Sequence, residues 1–173
     1  MCHSAFLATL ILSTLIGQKG TDRYESIDAR LTSAFRTMSE KQLRAELINI
    51  TSQQLKENAL DEPEPYVRKA LVAEALTRFD EQNGTDHWNR ASHYYIEAIE
   101  KWQKIAKNSN ESRVKIAPRR IAVLQLRLGN ALLKEKKPKV KEAEVAFDLA
   151  AQHPDIAERA EKEKEKLPAE NRR

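Results

Sequence analysis

The sequence predicts an all-α protein built from antiparallel helical hairpins that stack side by side. Charged residues make up 32% of the 173 residues, and the abundance of Ala and Leu among the others favours helices with solvated outer faces. Four glycines and six prolines punctuate the chain, fewer turn residues than a strand-rich fold requires. Apolar residues recur at steps of three and four, and no segment shows a clear two-residue alternation.

The first two helices are predicted over residues 22–58. Apolar side chains line one face of the first of them: Tyr24, Ile27, Leu31, Ala34, Phe35 and Met38. Ser39 starts the second helix, because Ser39 and Gln42 have the spacing of a capping box. The two prolines of segment 61–65 end this unit, since proline disfavours helix in the residue before it. We therefore expect an N-terminal helical hairpin over residues 22–60.

Five further helices are predicted between polar or proline-containing turns. The third, fourth and fifth helices cover residues 65–79, 88–107 and 118–136. The sixth helix follows Lys137-Pro138 and extends to residue 152, and the last, polar helix extends from His153-Pro154 to residue 166. We expect residues 64–155 to form two hairpins, and residues 156–173 to form a polar capping helix and tail. At roughly 150 residues such a unit can bury a core without disulfides or metals.

Two of the predicted helices share one internal spacing, in which alanine is followed by an aromatic residue and a second alanine. It occurs as Ala91, Tyr95 and Ala98, and again as Ala143, Phe147 and Ala150. Small residues let two helices approach closely, and one ring then fills the groove between them. We therefore expect Ala98 and Ala150 to be buried where helices cross.

The second of these units resembles the tetratricopeptide repeat family. Leu128-Gly129 precedes it and Pro154 follows it, in the order of the family pattern. The unit around Tyr95 matches less fully, and residues 22–58 carry none of the signature. The resemblance implies a short TPR-like solenoid, in which the first helices of the hairpins line a concave groove. An ordinary helical bundle remains the alternative, since the alanine–aromatic spacing is also that of a simple core stripe.

The N-terminal segment has the character of a targeting sequence. Residues 5–17 are apolar or small, and residues 1–18 contain no Asp, Glu, Lys or Arg. Thirteen residues are short for a membrane span, which needs about 20, but they match the apolar region of a signal peptide. We expect residues 1–19 to be a signal peptide and the protein to be secreted or periplasmic. The alternative is an uncleaved N-terminus that anchors the protein in a membrane.

No constellation for catalysis or metal binding stands out. The four histidines form no metal-binding pair on one helix face, and His87 and His153 are expected to be exposed caps. The four glycines are scattered rather than gathered in a phosphate loop, and no strained nucleophile turn is present. Cys2 is the single cysteine, so no disulfide framework forms within one chain. We therefore predict a non-enzymatic protein without a cofactor.

Basic residues are concentrated in the second half of the chain. Residues 101–141 contain thirteen Lys or Arg and two acidic residues, a net charge of +11, whereas the whole chain carries +4. The flanking regions are therefore acidic. Such segregation creates a local positive field. The alternative is that the basic stretch pairs with the acidic flanks inside the fold.

Within the basic stretch, Arg120, Arg127 and Lys134 lie seven residues apart, about two helical turns. They are expected to form one stripe with Asn130 on an open surface, while Leu124 and Leu128 lie in the core. The resemblance to tetratricopeptide repeats places Asn130 where polar groove residues occur in peptide-binding members.

These observations predict an exported scaffold that presents a basic groove, formed by the stripe, to an acidic protein or peptide segment. The alternative is an electrostatic binder of a polyanion, either nucleic acid, anionic lipid or acidic polysaccharide. Trp102 is the one aromatic residue within the basic stretch, which disfavours nucleic acid because bases stack on aromatic rings. Residues 5–17 would add a membrane contact if they were not cleaved.

Overall fold

The computed structural model of the chain describes residues 20–80, 86–108 and 112–168, with side chains from residue 23 onward. Helices make up most of these ranges, and no strand occurs in them, so the all-α prediction is confirmed. The predicted signal peptide lies outside the described residues. The α-helices are α1 (Gly20–Thr37), α2 (Glu40–Lys56), α3 (Glu64–Leu76), α4 (His87–Lys107), α5 (Ala117–Lys134), α6 (Val140–Ala151) and α7 (Pro154–Lys164).

The helices stack largely in chain order. Helix α3 packs against α4, α4 against α5, α5 against α6, and α6 against α7, which also touches α5. Each interface buries the apolar stripe of one helix against the next, and the buried side chains of all seven helices belong to one core cluster. The packing is that of a helical stack.

The first two helices are arranged differently from the hairpin expected over residues 22–60. Helices α1 and α2 each make their main contacts with α3, and far fewer with each other. The apolar stripes explain this arrangement: Leu31 and Phe35 of α1 and Leu43 and Ile50 of α2 all enter the common core. Helix α3 offers apolar residues all round, with Val67, Ala70, Leu71, Val72, Ala73 and Leu76 buried, so it accepts a helix on more than one side.

Local signals set most of the helix boundaries. The Ser39 capping box is present: the hydroxyl of Ser39 accepts from the backbone N–H of Gln42 at 3.4 Å, and the Gln42 side chain accepts from the Ser39 N–H at 2.8 Å. The predicted third helix ends earlier as an α-helix, and Thr77–Phe79 continue it as a 3-10 turn. The fifth helix ends at Lys134 rather than residue 136, because Glu135 adopts an extended conformation.

The alanine–aromatic spacing marks close packing between neighbouring helices. Both alanine pairs and the rings of Tyr95 and Phe147 are completely buried, which confirms the burial predicted for Ala98 and Ala150. Gly129 of α5 lies against the Phe147 ring of α6, and a Cβ atom at residue 129 would come within 2.7 Å of Cδ1 and 2.8 Å of Cζ. A glycine is therefore needed for α5 and α6 to approach this closely.

None of the helices in the described ranges is both long enough and apolar enough to cross a lipid bilayer.

Candidate functional site: a cleft between α3, α5 and α7

An open cavity of about 590 Å³ lies where α3, α5 and the end of α7 meet. Its lining residues come from four helices and the turn after α7: Glu74, Trp88, Arg127, Asn130, Leu133, Lys134, Glu163 and Lys166. A second cavity of about 280 Å³ adjoins it and shares Glu74, Trp88 and Lys134 with it. The second cavity extends the site towards α1 through Thr32 and Arg36. We call the two cavities together the cleft.

Three of the four residues predicted for a groove line this cleft. Arg127, Asn130 and Lys134 occupy successive turns of α5, so their spacing brings them to one side of the helix. Leu124 and Leu128 are buried on the opposite side, as predicted. The side-chain amide of Asn130 donates to the carbonyl of Leu126 at 3.1 Å, which leaves its oxygen for other donors.

Arg120 is a correction to the predicted stripe. Its side chain is 3% exposed and lies inside the stack, where it pairs with Asp28 of α1 and Glu64 of α3. The first turn of α5 is covered by α1 and α3, whose carboxylates meet Arg120, whereas Lys134 at the other end of α5 is exposed.

Arg120 forms an ion cluster with the buried Asp28 and the half-buried Glu64. The Nη1 atom of Arg120 lies 2.6 Å from Asp28 Oδ2, and Nη2 lies 3.0 Å from Glu64 Oε2. Trp102 of α4 donates from Nε1 to Glu64 Oε1 at 3.2 Å, so the cluster ties together four helices. Burial disfavours a charged guanidinium, but the carboxylates of Glu64 and Asp28 outweigh this and raise the pKa of Arg120 above its ordinary range.

The floor of the cleft is held by Tyr95, Glu74 and Arg127. The buried Tyr95 hydroxyl donates to Glu74 Oε1 at 2.7 Å, and Arg127 Nη2 lies 3.9 Å from Asp28 Oδ2. Burial raises the pKa of Tyr95 well above its ordinary value of 10.0, and the negative charge of Glu74 adds to the rise. These contacts connect the cleft floor to the core, so Glu74 and Arg127 are held in place by partners within the chain.

The rim of the cleft carries Lys134 and Trp88. The ammonium of Lys134 lies 4.6 Å from the centre of the half-buried Trp88 ring. Counted over both cavities, the lining includes Arg36, Arg127, Lys134 and Lys166 against Glu74 and Glu163, so basic residues predominate. No sequence pattern linked Trp88 to the stripe, because Trp88 comes from α4, 46 positions before Lys134.

Several cations of the basic stretch outside the cleft meet the acidic flanks of the chain. Lys101 pairs with Asp61 at 3.1 Å and Arg113 with Glu62 at 2.6 Å, while Arg119 lies 2.6 Å from Glu25 and 3.1 Å from Asp155. The alternative expected for this stretch, pairing within the fold, therefore holds for these residues. These ion pairs offset part of the positive charge of residues 101–141, so the positive field is weaker than the net charge of this stretch predicts.

His87 is a second correction, because it is completely buried rather than an exposed cap. Its backbone N–H donates to Asp80 Oδ2 at 3.0 Å, and its ring Nδ1 bonds the other carboxylate oxygen of Asp80. Asp86 caps α4 instead, accepting from the N–H of Asn89. His153 does cap α7, as its ring accepts from Asp155 N–H at 3.3 Å. Across the residues that the structure describes, no three His, Cys, Asp or Glu side chains are grouped so that they could hold a metal ion.

Comparisons with protein-family models, with curated proteins and with solved structures find no match to this chain.

Proposed function

We propose that this chain is a non-enzymatic helical scaffold that binds an acidic segment of a partner protein in the cleft. The observation that carries this proposal is the joint placement of Arg127, Asn130 and Lys134 on one open cavity with Trp88. Extended segments bind well to grooves that combine a few cations with an aromatic surface, because charge gives orientation and apolar contact gives affinity. The size of the cleft suits several residues of an extended chain.

The proposal includes a repeat of the tetratricopeptide type. Its support is the complete burial of both alanine–aromatic motifs and the contact of Gly129 with Phe147. On this proposal, the odd-numbered helices are the first helices of the repeats, and α1, α3, α5 and α7 supply most of the cleft lining.

We further propose that the protein works outside the cytoplasm. The support is the uncharged apolar segment 5–17 at the start of the chain, whose length matches a signal peptide better than a membrane span.

A polyanion is the second candidate partner. It is favoured by the exposure of Lys137 in the turn between α5 and α6 and of Lys141 in the first turn of α6. Binding of a polyanion would depend on the sum of many surface cations rather than on one cavity, and it would fall steeply with salt.

A charge reversal in the cleft separates the two candidates. A display library of extended peptides is selected against the chain from Lys19 onward, and the binders are measured at about 0.15 M salt. Lys134→Glu should weaken acidic binders on the order of tenfold, because an attraction becomes a repulsion. Lys137→Glu is the matched control, with the same charge change outside the cleft lining, and should leave affinity nearly unchanged.

The outcomes are distinct. Selection without enrichment of Asp and Glu, or equal affinity for the Lys134→Glu variant, would contradict the cleft proposal. Equal losses from both reversals, together with a steep salt dependence for heparin, would support the polyanion candidate instead.

A further inference from the structure

The cations of the cleft differ in whether the chain itself already neutralises them. In the larger cavity, Arg127 Nη2 lies 3.9 Å from Asp28 Oδ2, and Lys166 Nζ lies 2.6 Å from Glu163 Oε1. Both of these cations therefore have anionic partners within the protein. They offer a ligand less net charge than an unpaired cation would, because each partner carboxylate offsets them.

The second cavity, of about 280 Å³, is lined by two cations without such partners. Arg36 in the last turn of α1 and Lys134 in the last turn of α5 are both exposed. No carboxylate of residues 20–80, 86–108 and 112–168 comes within ion-pair distance of either side chain. The contact of Lys134 is with the Trp88 ring, 4.6 Å away, which carries no charge. Two like charges that line one cavity repel each other, and an anion between them removes that repulsion.

The other polar side chains of the second cavity are engaged within the chain. Thr32 and Thr77 each donate the hydroxyl to a backbone carbonyl of an earlier residue, at 2.7 Å in both cases. A hydroxyl has one proton, so neither can donate to a ligand while these bonds hold. The Glu74 carboxylate accepts the Tyr95 hydroxyl at 2.7 Å and forms no ion pair with the two cations. The cations are therefore the donors that this lining offers to an anion.

The backbone that carries Arg36 is fixed to the end of α3. Arg78, in the 3-10 turn after α3, donates from its guanidinium to the carbonyls of Phe35, Arg36 and Met38. Carbonyls at the end of a helix lack partners within that helix, so this contact satisfies them and holds the turn after α1. Arg36 therefore has a defined place at the cavity wall, which reduces the entropy lost when a ligand orders its side chain.

We propose that the second cavity is the carboxylate subsite of the cleft, in which one Asp or Glu side chain of the partner segment bridges Arg36 and Lys134. Both donors are long, flexible side chains and a carboxylate has two oxygens, so one group can accept from both. Arg36 is then a specificity-determining residue that no spacing along α5 indicates, because it comes from α1. This inference rests on the proposed function, since it specifies which part of the cleft recognises the acidic residue.

A double-mutant cycle between protein and ligand tests the subsite. The probes are two acetylated and amidated octapeptides of Ser and Gly, one with Asp and one with Asn at the centre, titrated at about 0.15 M salt and followed by NMR. We expect Arg36→Gln to weaken the Asp peptide about 5-fold and the Asn peptide less than about 2-fold, because the lost attraction exists only with the carboxylate. Lys134→Gln should act in the same way.

Arg30→Gln is the matched control. Arg30 is also an exposed arginine of α1 without an ion-pair partner in the described ranges, but it lines neither cavity of the cleft. Its substitution should leave the affinity for both peptides nearly unchanged. All three variants replace exposed side chains, so the fold should be retained, and the NMR spectrum of each variant checks this directly.

The outcomes separate the subsite from the proposed function. An equal loss from Arg36→Gln and Arg30→Gln, or a loss that is the same for the Asp and Asn peptides, would overturn the subsite, as would failure of the Asp peptide to bind. An effect of Lys134→Gln without one of Arg36→Gln would overturn the subsite while leaving the acidic-segment scaffold intact. Insensitivity of the selected acidic binders to Lys134→Glu would remove the proposed function as well.

Discussion

Arg120 and Asp28 form a buried ion pair although 92 positions separate them in the chain. Their side chains are 3% and 1% exposed, and Arg120 Nη1 lies 2.6 Å from Asp28 Oδ2. The pair joins α5 to α1, and Glu64 extends it to α3. A buried ion pair costs desolvation on both sides, so its net contribution to stability is small, but the removal of one partner leaves an unpaired buried charge.

Arg120→Met should therefore lower the free energy of unfolding by about 3–5 kcal/mol. The variant leaves the carboxylates of Asp28 and Glu64 close together without their cation. Chemical denaturation at neutral pH measures the loss. Arg44→Met is the control, because Arg44 pairs with Glu40 on the surface of α2, and its loss should be about 0.5 kcal/mol or less. Equal stability of the two variants would contradict the buried position of Arg120.

Gly129→Ala should destabilise the protein by about 1–3 kcal/mol. In an ordinary helix this change stabilises by up to about 1 kcal/mol, but here the new methyl group would collide with the Phe147 ring. Thermal unfolding of the variant gives the sign directly.

The same change in a Phe147→Leu background provides the control. Leucine leaves room beside residue 129, so Gly129→Ala should there be neutral or stabilising. A stabilising effect in the wild-type background would mean that α5 and α6 lie farther apart than the structure has them.

Tyr95→Phe should cost about 1–2 kcal/mol at neutral pH, because it removes the hydrogen bond to Glu74. The raised pKa of Tyr95 also predicts a pH dependence. The folded protein holds this proton when the unfolded chain has lost it, so the stabilisation is complete below pH of about 10 and declines as the pH rises further.

The stability difference between the wild-type protein and Tyr95→Phe should therefore shrink in denaturation experiments above that pH. Tyr94→Phe is the control on the same helix, since Tyr94 is half-buried and its variant measures the loss of a tyrosine hydroxyl that is not in the core. A difference for Tyr95→Phe that is constant at all pH values would argue against a buried hydroxyl bonded to Glu74.

Export predicts a defined N-terminus. Expressed from its own Met1, the protein should leave the cytoplasm and lose about 17–20 residues, as signal peptides do. Intact-mass measurement and N-terminal sequencing of the exported form test this. An exported form that still begins at Met1 or Cys2 would refute cleavage, and a full-length form in the membrane fraction would favour the uncleaved anchor.

Local chemistry made the helices predictable. The Ser39 capping box, Pro118 at the start of α5 and the alanine–aromatic stripes act through neighbours within four residues, so each can be recognised in a short window. The end of α5 was placed two residues too late, because Glu135 could continue a helix by composition and leaves it only in the folded context.

The positions of the charged side chains could not be predicted in the same way. Arg120 and Lys134 have the same spacing relation to Arg127, yet one is buried and the other lies on the rim of the cleft. His87 likewise gave no sequence signal for its burial against Asp80. Equal spacing on a helix defines a shared face, but not which helices cover each turn of that face.

The sequence alone determined the all-α class, most helix boundaries and the residues that let helices approach closely, because those depend on interactions along one helix. Only the tertiary structure decided that Arg120 is a core residue, that α1 and α2 both pack on α3, and that Trp88 joins Lys134 at the cleft. The physical reason is that a charge is buried only where an opposite charge meets it. For Arg120, those opposite charges come from residues 92 and 56 positions away.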